Sequence, residues 1–321
     1  MTPVLADDKL SALPPAVREV TIQAGDLRLL LRDNSESPKR ALSGIDALFN
    51  LRSAPQFDAF DPDTRGASAG MNFEHIISGH KHEHNAFSPR SGAYALHHEP
   101  GSMSATLVRK WEDEPWKVSS RFTYRLVAPH FIDFDFRCTV DDPALFDPEK
   151  YAVFFFANYM HDVERVGLNF RGINSPVGNE EWIYADAPAG PKDWNQGGTY
   201  RHREGTELRM ATDQNFRLNT WSYDFPRYTQ PFYFGKAAHG MTLILMFDKT
   251  ATSEEEIRFS LFKFKLQKHP RPAWDFQYVR KKLEAGKEYG FRGRLVWKKF
   301  VSPEDCLREY QTWSAGLPRR P

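Results

Sequence analysis

The residues with the most chemical capacity lie in one short stretch, Asn72-Phe-Glu-His-Ile-Ile-Ser-Gly-His-Lys-His-Glu-His-Asn85. The chain has 11 histidines in 321 residues, and His75, His80, His82 and His84 all fall here, beside Glu74 and Glu83. Read as a strand, the stretch sets His80, His82 and His84 on one face, because side chains alternate with a period of two. Imidazoles gathered in this way can ligate a metal, relay protons or grip a polar ligand. The metal reading draws ligands from His75, His80, His82 and His84, with a divalent ion (Zn, Fe, Mn or Ca) as cofactor and Glu74 or Glu83 as the carboxylate. The metal-free reading requires no cofactor. In it a histidine acid, His82 or His84, and a carboxylate base such as Glu74 move a proton around a sugar ring. The plainer reading is a polar loop whose imidazoles hydrogen-bond the backbone.

A second carboxylate comes late in the chain. In Pro270-Arg-Pro-Ala-Trp-Asp-Phe-Gln-Tyr278, alternation sets Asp275 and Gln277 opposite Trp274 and Phe276. Asp275 is the candidate general base there, against the plainer reading of a solvent-facing strand residue. Asn158-Tyr-Met-His-Asp162 follows an apolar run, so Asn158, Tyr159 and His161 fall at a sheet rim, where sites are often built. A Gly/Pro-rich segment over 186–200 carries Trp194, Asn195 and Gln196, and the segment 219–233 carries Trp221, Tyr223, Asp224 and Arg227. Aromatic faces beside amide, carboxylate and guanidinium groups suit sugars, and Trp274 joins that set. Arg52, Arg90 and Arg171 are candidates for bidentate pairing with a uronate carboxylate.

The elements that must position these residues are strands. Val20-Thr-Ile-Gln and Leu27-Arg-Leu-Leu-Leu flank Ala24-Gly25-Asp26 and read as a hairpin. Lys117–Val127 and Phe131–Val140 alternate apolar and polar residues, the pattern of strands with one buried face. Tyr151–Ala157 and Met241–Phe247 are continuous apolar runs and read as central strands. Ile257–Leu266 slips phase between Leu261 and Phe262, which predicts a β-bulge or a sharp bend. Two further strands are expected over Trp274–Val279 and Phe291–Phe300. A helix is expected from Ser302, with Pro303 at its first position, Glu304 and Asp305 at its positive end, and Cys306, Leu307, Tyr310 and Trp313 as its apolar stripe. A weaker helix is expected over Ala41–Asn50.

The fold class that follows is all-β: a large antiparallel two-sheet sandwich with a C-terminal helix. Residues 1–17 read as an N-terminal extension, 18–301 as one sandwich domain, and 302–321 as the helix and tail. Lys and Arg total 43 against 42 Asp and Glu, and the basic clusters are short, so no nucleic-acid footprint is expected. No apolar run is long enough for a membrane helix, so no membrane partner is expected. Only Cys138 and Cys306 are present, too few for a disulfide framework. The N-terminus lacks a basic start and an apolar run, so a cytoplasmic location is expected, or a periplasmic one for a chain trimmed of a leader. The expected partners are a small-molecule or oligosaccharide substrate and a second copy in a homodimer. No glycine-rich phosphate loop precedes a helix.

The histidine spacing does not fit two familiar metal sites. Asn85-Ala-Phe-Ser-Pro89 lacks the glutamate of the cupins, and His84-Asn85 stands where metallo-β-lactamase-like hydrolases need Asp-His. An all-β chain of this length, with histidines midway and an acidic residue late, resembles the galactose-mutarotase-like β-supersandwich group. That group holds aldose epimerases and sandwich domains of polysaccharide lyases and glycosidases. For epimerase chemistry the resemblance implies His82 or His84 as acid and Asp275 as base. For lyase chemistry it implies Tyr159 or His161 as base, with Asn158 and Arg171 neutralising a uronate. The expected function is a carbohydrate-active enzyme using acid–base chemistry, of mutarotase, epimerase, lyase or glycosidase type. The alternatives are a non-catalytic sugar-binding protein and a metal-dependent enzyme.

Overall fold

A computed structural model of the protein describes residues 13–33, 43–62, 70–84, 87–91, 93–146, 149–186, 196–209, 223–249, 251–266 and 269–317. Among them the strands form three sheets of eleven, five and four members. The four-stranded sheet runs in chain order through Glu19–Ala24, Leu27–Arg32, Gly44–Asn50 and Ala54–Asp58. Its first hairpin turns at Gly25, whose φ of 56° is the left-handed conformation that glycine adopts without steric cost. The large sheet is centred on Phe131–Val140, Glu288–Lys299 and Met241–Phe247. The five-stranded sheet has the order Gln196–Tyr200, Glu255–Leu266, His269–Arg280, Ala152–Ala157, Asn72–Ile77. The architecture is the antiparallel β-sandwich expected from the alternation.

Phenylalanines fill the space between the five-stranded and the large sheet. Phe156 stacks on Phe276 at 4.8 Å and meets Phe136 from the facing sheet at 4.9 Å. Such pairs add about 0.5–1.5 kcal/mol each beyond the area they bury. Trp274 lies in this interior with no exposed surface, over Gly235, where an added Cβ would sit 2.4 Å from the indole. The large sheet's outer face is covered by the C-terminal helix, Pro303–Ala315. Ser302 caps it by accepting the Asp305 N–H at 3.1 Å. Cys306 and Trp313, with Leu307 and Tyr310, pack on Phe232, Phe234, Ile244 and Met246. Cys138 and Cys306 are both buried free thiols. No helix among the described residues is long and apolar enough to cross a membrane.

Four expectations are corrected. Gly44–Asn50 is a strand, not part of a helix, because its residues pair along Leu27–Arg32 and tertiary pairing overrides weak helical propensity. Ala16–Val17 is not mere extension but pairs with Leu96 and His97 at the edge of the large sheet. Gln196–Tyr200 is an edge strand rather than loop. Glu255–Leu266 runs against His269–Arg280 without a register shift, so the phase slip in its apolar residues does not mark a bulge.

Candidate functional site

A bulge does exist, and it falls on Glu74. Phe155 pairs with His75 while Phe156 pairs with Phe73, so Glu74 is the extra residue between them. A bulge of this kind re-aims a side chain without ending the sheet. The Glu74 carboxylate is turned toward two groups from elsewhere in the chain and toward its own neighbour, His75. The Tyr159 hydroxyl donates to it, lying 2.7 and 2.8 Å from its two oxygens. The Arg90 guanidinium donates to it at 2.9 Å. The His75 Nε2 stands 3.5 Å away.

Asp275 lies on the same face of this sheet. It belongs to the strand next to Ala152–Ala157, and its Oδ1 accepts the Asn158 N–H at 2.7 Å. Asn158 is committed to the framework. Its side-chain oxygen accepts the Met71 N–H and its amide donates to the Trp274 carbonyl. It therefore locks the strand end that brings Tyr159 beside Glu74. Register extends this polar face: His75, Phe155, Gln277 and Arg258 stand in one row, and Asp275, Ser260 and Thr199 in another. Arg258, with no exposed surface, is 3.0 Å from Glu256.

Burial controls the protonation of the group. It pushes the Glu74 carboxyl upward, and the Arg90 charge and the Tyr159 hydrogen bond offset part of that rise. It pushes Asp275 well above the usual carboxylate range; the Asn158 N–H opposes this, and the neighbouring Glu74 charge adds to it. Tyr159 is held well above its ordinary value, first by burial and then by the Glu74 charge, so it stays a hydroxyl donor. His75 is held well below its ordinary value by burial and by Arg90, so it sits beside Glu74 as a neutral ring rather than an ion-pair partner. Both carboxyls are thus held above their ordinary values by burial, and only Glu74 has a cation and a hydroxyl donor that oppose the rise.

Phe87 and Arg90 form the outward edge of this group. Phe87 is 38% exposed, its ring lies 4.1 Å from that of His75, and the Arg90 guanidinium covers it at 4.9 Å. Asp275 itself is only 2% exposed, so it is not the solvent-facing strand residue of the plainer reading but part of a buried polar face.

The other expected site residues lie elsewhere. Strand structure ends at Ile77, and His80, His82 and His84 follow it in a loop, because Ser78-Gly79 breaks the alternation. The three rings still come together: His82 lies 5.5 Å from His80, 4.6 Å from His84 and 4.7 Å from Trp116. Burial and the other two imidazoles lower the His82 pKa. Among the described residues, no group of three His, Cys, Asp or Glu is arranged to hold a metal ion. His161 stacks on Phe57 and contacts the Asp58 carbonyl. Arg52 is exposed in a turn, and Arg171 pairs with Glu180 at 3.0 Å. Asp224 pairs with Arg201, Arg227 donates to the Asp224 carbonyl, and Tyr223 stacks on Tyr200. Trp274 faces the interior between the sheets, away from Asp275. Trp194, Asn195, Trp221 and the Gln196 side chain lie outside the described residues. Glu256, Arg258 and Ser260 were legible as the polar phase of their strand, opposite Ile257, Phe259 and Leu261. Phe87 carried no comparable signal.

No protein-family model matches the sequence, and no curated protein matches it. Solved structures do. A heparan sulfate lyase from Pedobacter heparinus is similar at a TM-score of 0.46 and 8% identity, over 89% of this chain and 36% of the lyase. An aldose epimerase homologue from C. elegans is similar at a TM-score of 0.44 and 11% identity, over 88% of this chain and 99% of its own. A 4-alpha-glucanotransferase from Thermococcus litoralis is similar at a TM-score of 0.41 and 9% identity, over 88% of this chain and 37% of its own. The chain thus spans about a third of the lyase's length. These likenesses are distant, none above 11% identity.

Proposed function

We propose that this protein is a carbohydrate-active enzyme that moves protons with a pair of carboxyls, Asp275 as the acid and Glu74 as the base. One observation carries the reading: both carboxyls are buried on one face of one sheet, and only Glu74 is given an arginine and a phenol to stabilise its charge. Glu74 is then the member that ionises more readily, and Asp275 the one whose proton burial helps to hold. Glu74 accepts a proton from a substrate hydroxyl, a carbon acid or an attacking water. Asp275 gives its proton to the oxygen that gains electron density as the bond breaks, whether a ring oxygen or a glycosidic one. Epimerisation, β-elimination and glycoside cleavage all share that pair of transfers. The aromatic face of Phe87, beside the Arg90 and Tyr159 donors, supports a sugar as the substrate.

The near-complete burial of Asp275 favours one second reading, a sugar-binding protein without turnover. A panel of neutral and uronate-containing oligosaccharides, assayed for new reducing ends, for unsaturated products and for anomer exchange, separates the two. Turnover by the native chain that disappears in Asp275→Asn and Glu74→Gln, with sugar affinity retained, supports the enzyme. Binding without turnover in all three proteins supports the second reading. A panel that neither binds nor reacts removes both.

A further inference from the structure

A second buried polar cluster lies behind the site, and the proton-transfer scheme does not use it. Arg109 ends the strand Ser104–Arg109 and is 3% exposed. Its Nη1 donates to the Ser88 and Pro89 carbonyls, each at 2.8 Å, and its Nη2 donates to the Asp113 carbonyl. Glu114, 1% exposed, accepts the Ser88 hydroxyl with one oxygen and the Trp116 N–H, at 2.7 Å, with the other. The Trp116 indole N–H donates to the His84 carbonyl at 2.9 Å. One segment, 109–116, thus grips the loop after Asn72–Ile77 at two places: at His84, and at Ser88-Pro89, directly before Arg90.

We propose that Arg109 and Glu114 are positioning residues: by fixing the Ser88–Pro89 backbone they hold the Arg90 guanidinium on the Glu74 carboxylate. Burying a guanidinium and a carboxylate is costly unless their hydrogen bonds are all put to use. Here two of the Arg109 hydrogen bonds and one of those to Glu114 tie down the segment that delivers Arg90, so a half-exposed side chain is placed from buried anchors. The short helix Ser88–Ser91 is too small to hold itself in place. The groups facing Glu74 are Arg90, Tyr159, His75 and Asp275, and only Arg90 among them brings a positive charge. The groups facing Arg109 are Glu114, the Asp113 carbonyl and the Tyr94 ring. Loosening the clamp therefore leaves Glu74 with its burial and without its counter-charge.

The inference takes its functional meaning from the paired-carboxyl reading, but its test needs no substrate. The Glu74 carboxyl is followed by carbon NMR in protein labelled at the glutamate side-chain carboxyl. Its resonance is the one missing in Glu74→Gln. Arg109→Lys keeps the positive charge and loses the planar fork, so a through-space effect of Arg109 is retained while the clamp is lost. The expected result is a rise of the Glu74 midpoint on the order of one pH unit, toward the midpoint in Arg90→Gln. A midpoint unchanged in Arg109→Lys but raised in Arg90→Gln overturns the proposal. Should Arg109→Lys fail to fold, Ser88→Ala decides: a smaller upward shift upholds the clamp and none overturns it. A raised midpoint in a protein that turns over no saccharide would sink the enzyme reading and leave the clamp standing.

Discussion

The two sheets of the sandwich each have an outer face that the chain covers, and they cover it with opposite chemistry. On the large sheet, Phe232, Phe234, Ile244 and Met246 meet the apolar stripe of the C-terminal helix. On the five-stranded sheet the corresponding positions hold Asp275, Gln277, Arg258, Glu256 and the bulged Glu74, all buried. The first face gains free energy from every methylene removed from water. The second gives free energy up, because each buried carboxyl and guanidinium loses hydration that its partners only partly restore. Under the proposed function, this contrast sorts the substitutions expected to disturb activity from those expected to disturb folding.

The sharpest way to break the comparison is to neutralise the polar face. Asp275→Asn and Glu74→Gln are isosteric, and the amide introduced by Asp275→Asn would still offer an oxygen to the Asn158 N–H. Turnover is expected to fall about 10²–10⁴-fold in each, with the thermal midpoint unchanged or raised. Activity at native level in either variant would end the proton-transfer scheme. On the apolar face, Trp313→Ala should cost about 3 kcal/mol in chemical denaturation and leave the Glu74 titration where it was. A shift in that titration would mean that the two faces are coupled through the sheet.

The pH dependence of stability sharpens the contrast further. A raised carboxyl keeps its proton in the folded chain over a pH range in which the unfolded chain has already lost it. Stability therefore falls as pH rises from the ordinary aspartate value of 3.8 toward the raised folded value of Asp275. Each such group contributes a slope of up to about 1.4 kcal/mol per pH unit. Urea midpoints measured across that range should decline in the native protein and decline less in Asp275→Asn; parallel curves would refute the burial argument. The smallest expected effect is Ser302→Ala, about 1 kcal/mol from the lost helix cap, with no change in any titration.

The helix shows what was legible in advance. Ser302, Pro303 and the stripe from Cys306 to Trp313 are local signals, and local signals survive because capping and periodicity depend on neighbours in sequence. The alternation in 270–278 likewise put Asp275 and Gln277 opposite Trp274 and Phe276, as they stand in the sheet. The histidine stretch shows the limit. Its alternation was read through to His84, but the strand stops at Ile77, and Glu74, not the row of imidazoles, is the residue turned toward Tyr159 and Arg90. Glu255–Leu266 pairs along His269–Arg280 without the expected bulge, and the one at Glu74 was not foreseen, because a register shift belongs to a pair of strands and one strand's pattern cannot reveal it.

By itself, then, the sequence determined the class of the fold, its buried phases, the helix and the residue types available for proton transfer. These follow from periodicity and capping, which are properties of neighbouring residues. Tertiary structure alone decided which groups surround each carboxyl. Glu74, Arg90, Tyr159 and Asp275 are separated by 16 to 201 positions in the chain, and their encounter depends on strand order, on register and on one extra residue in one strand. It also decided their protonation, because a carboxyl's pKa is set by how far water is excluded from it and by the charges beside it. Those are facts of packing, and no single segment of this chain contains them.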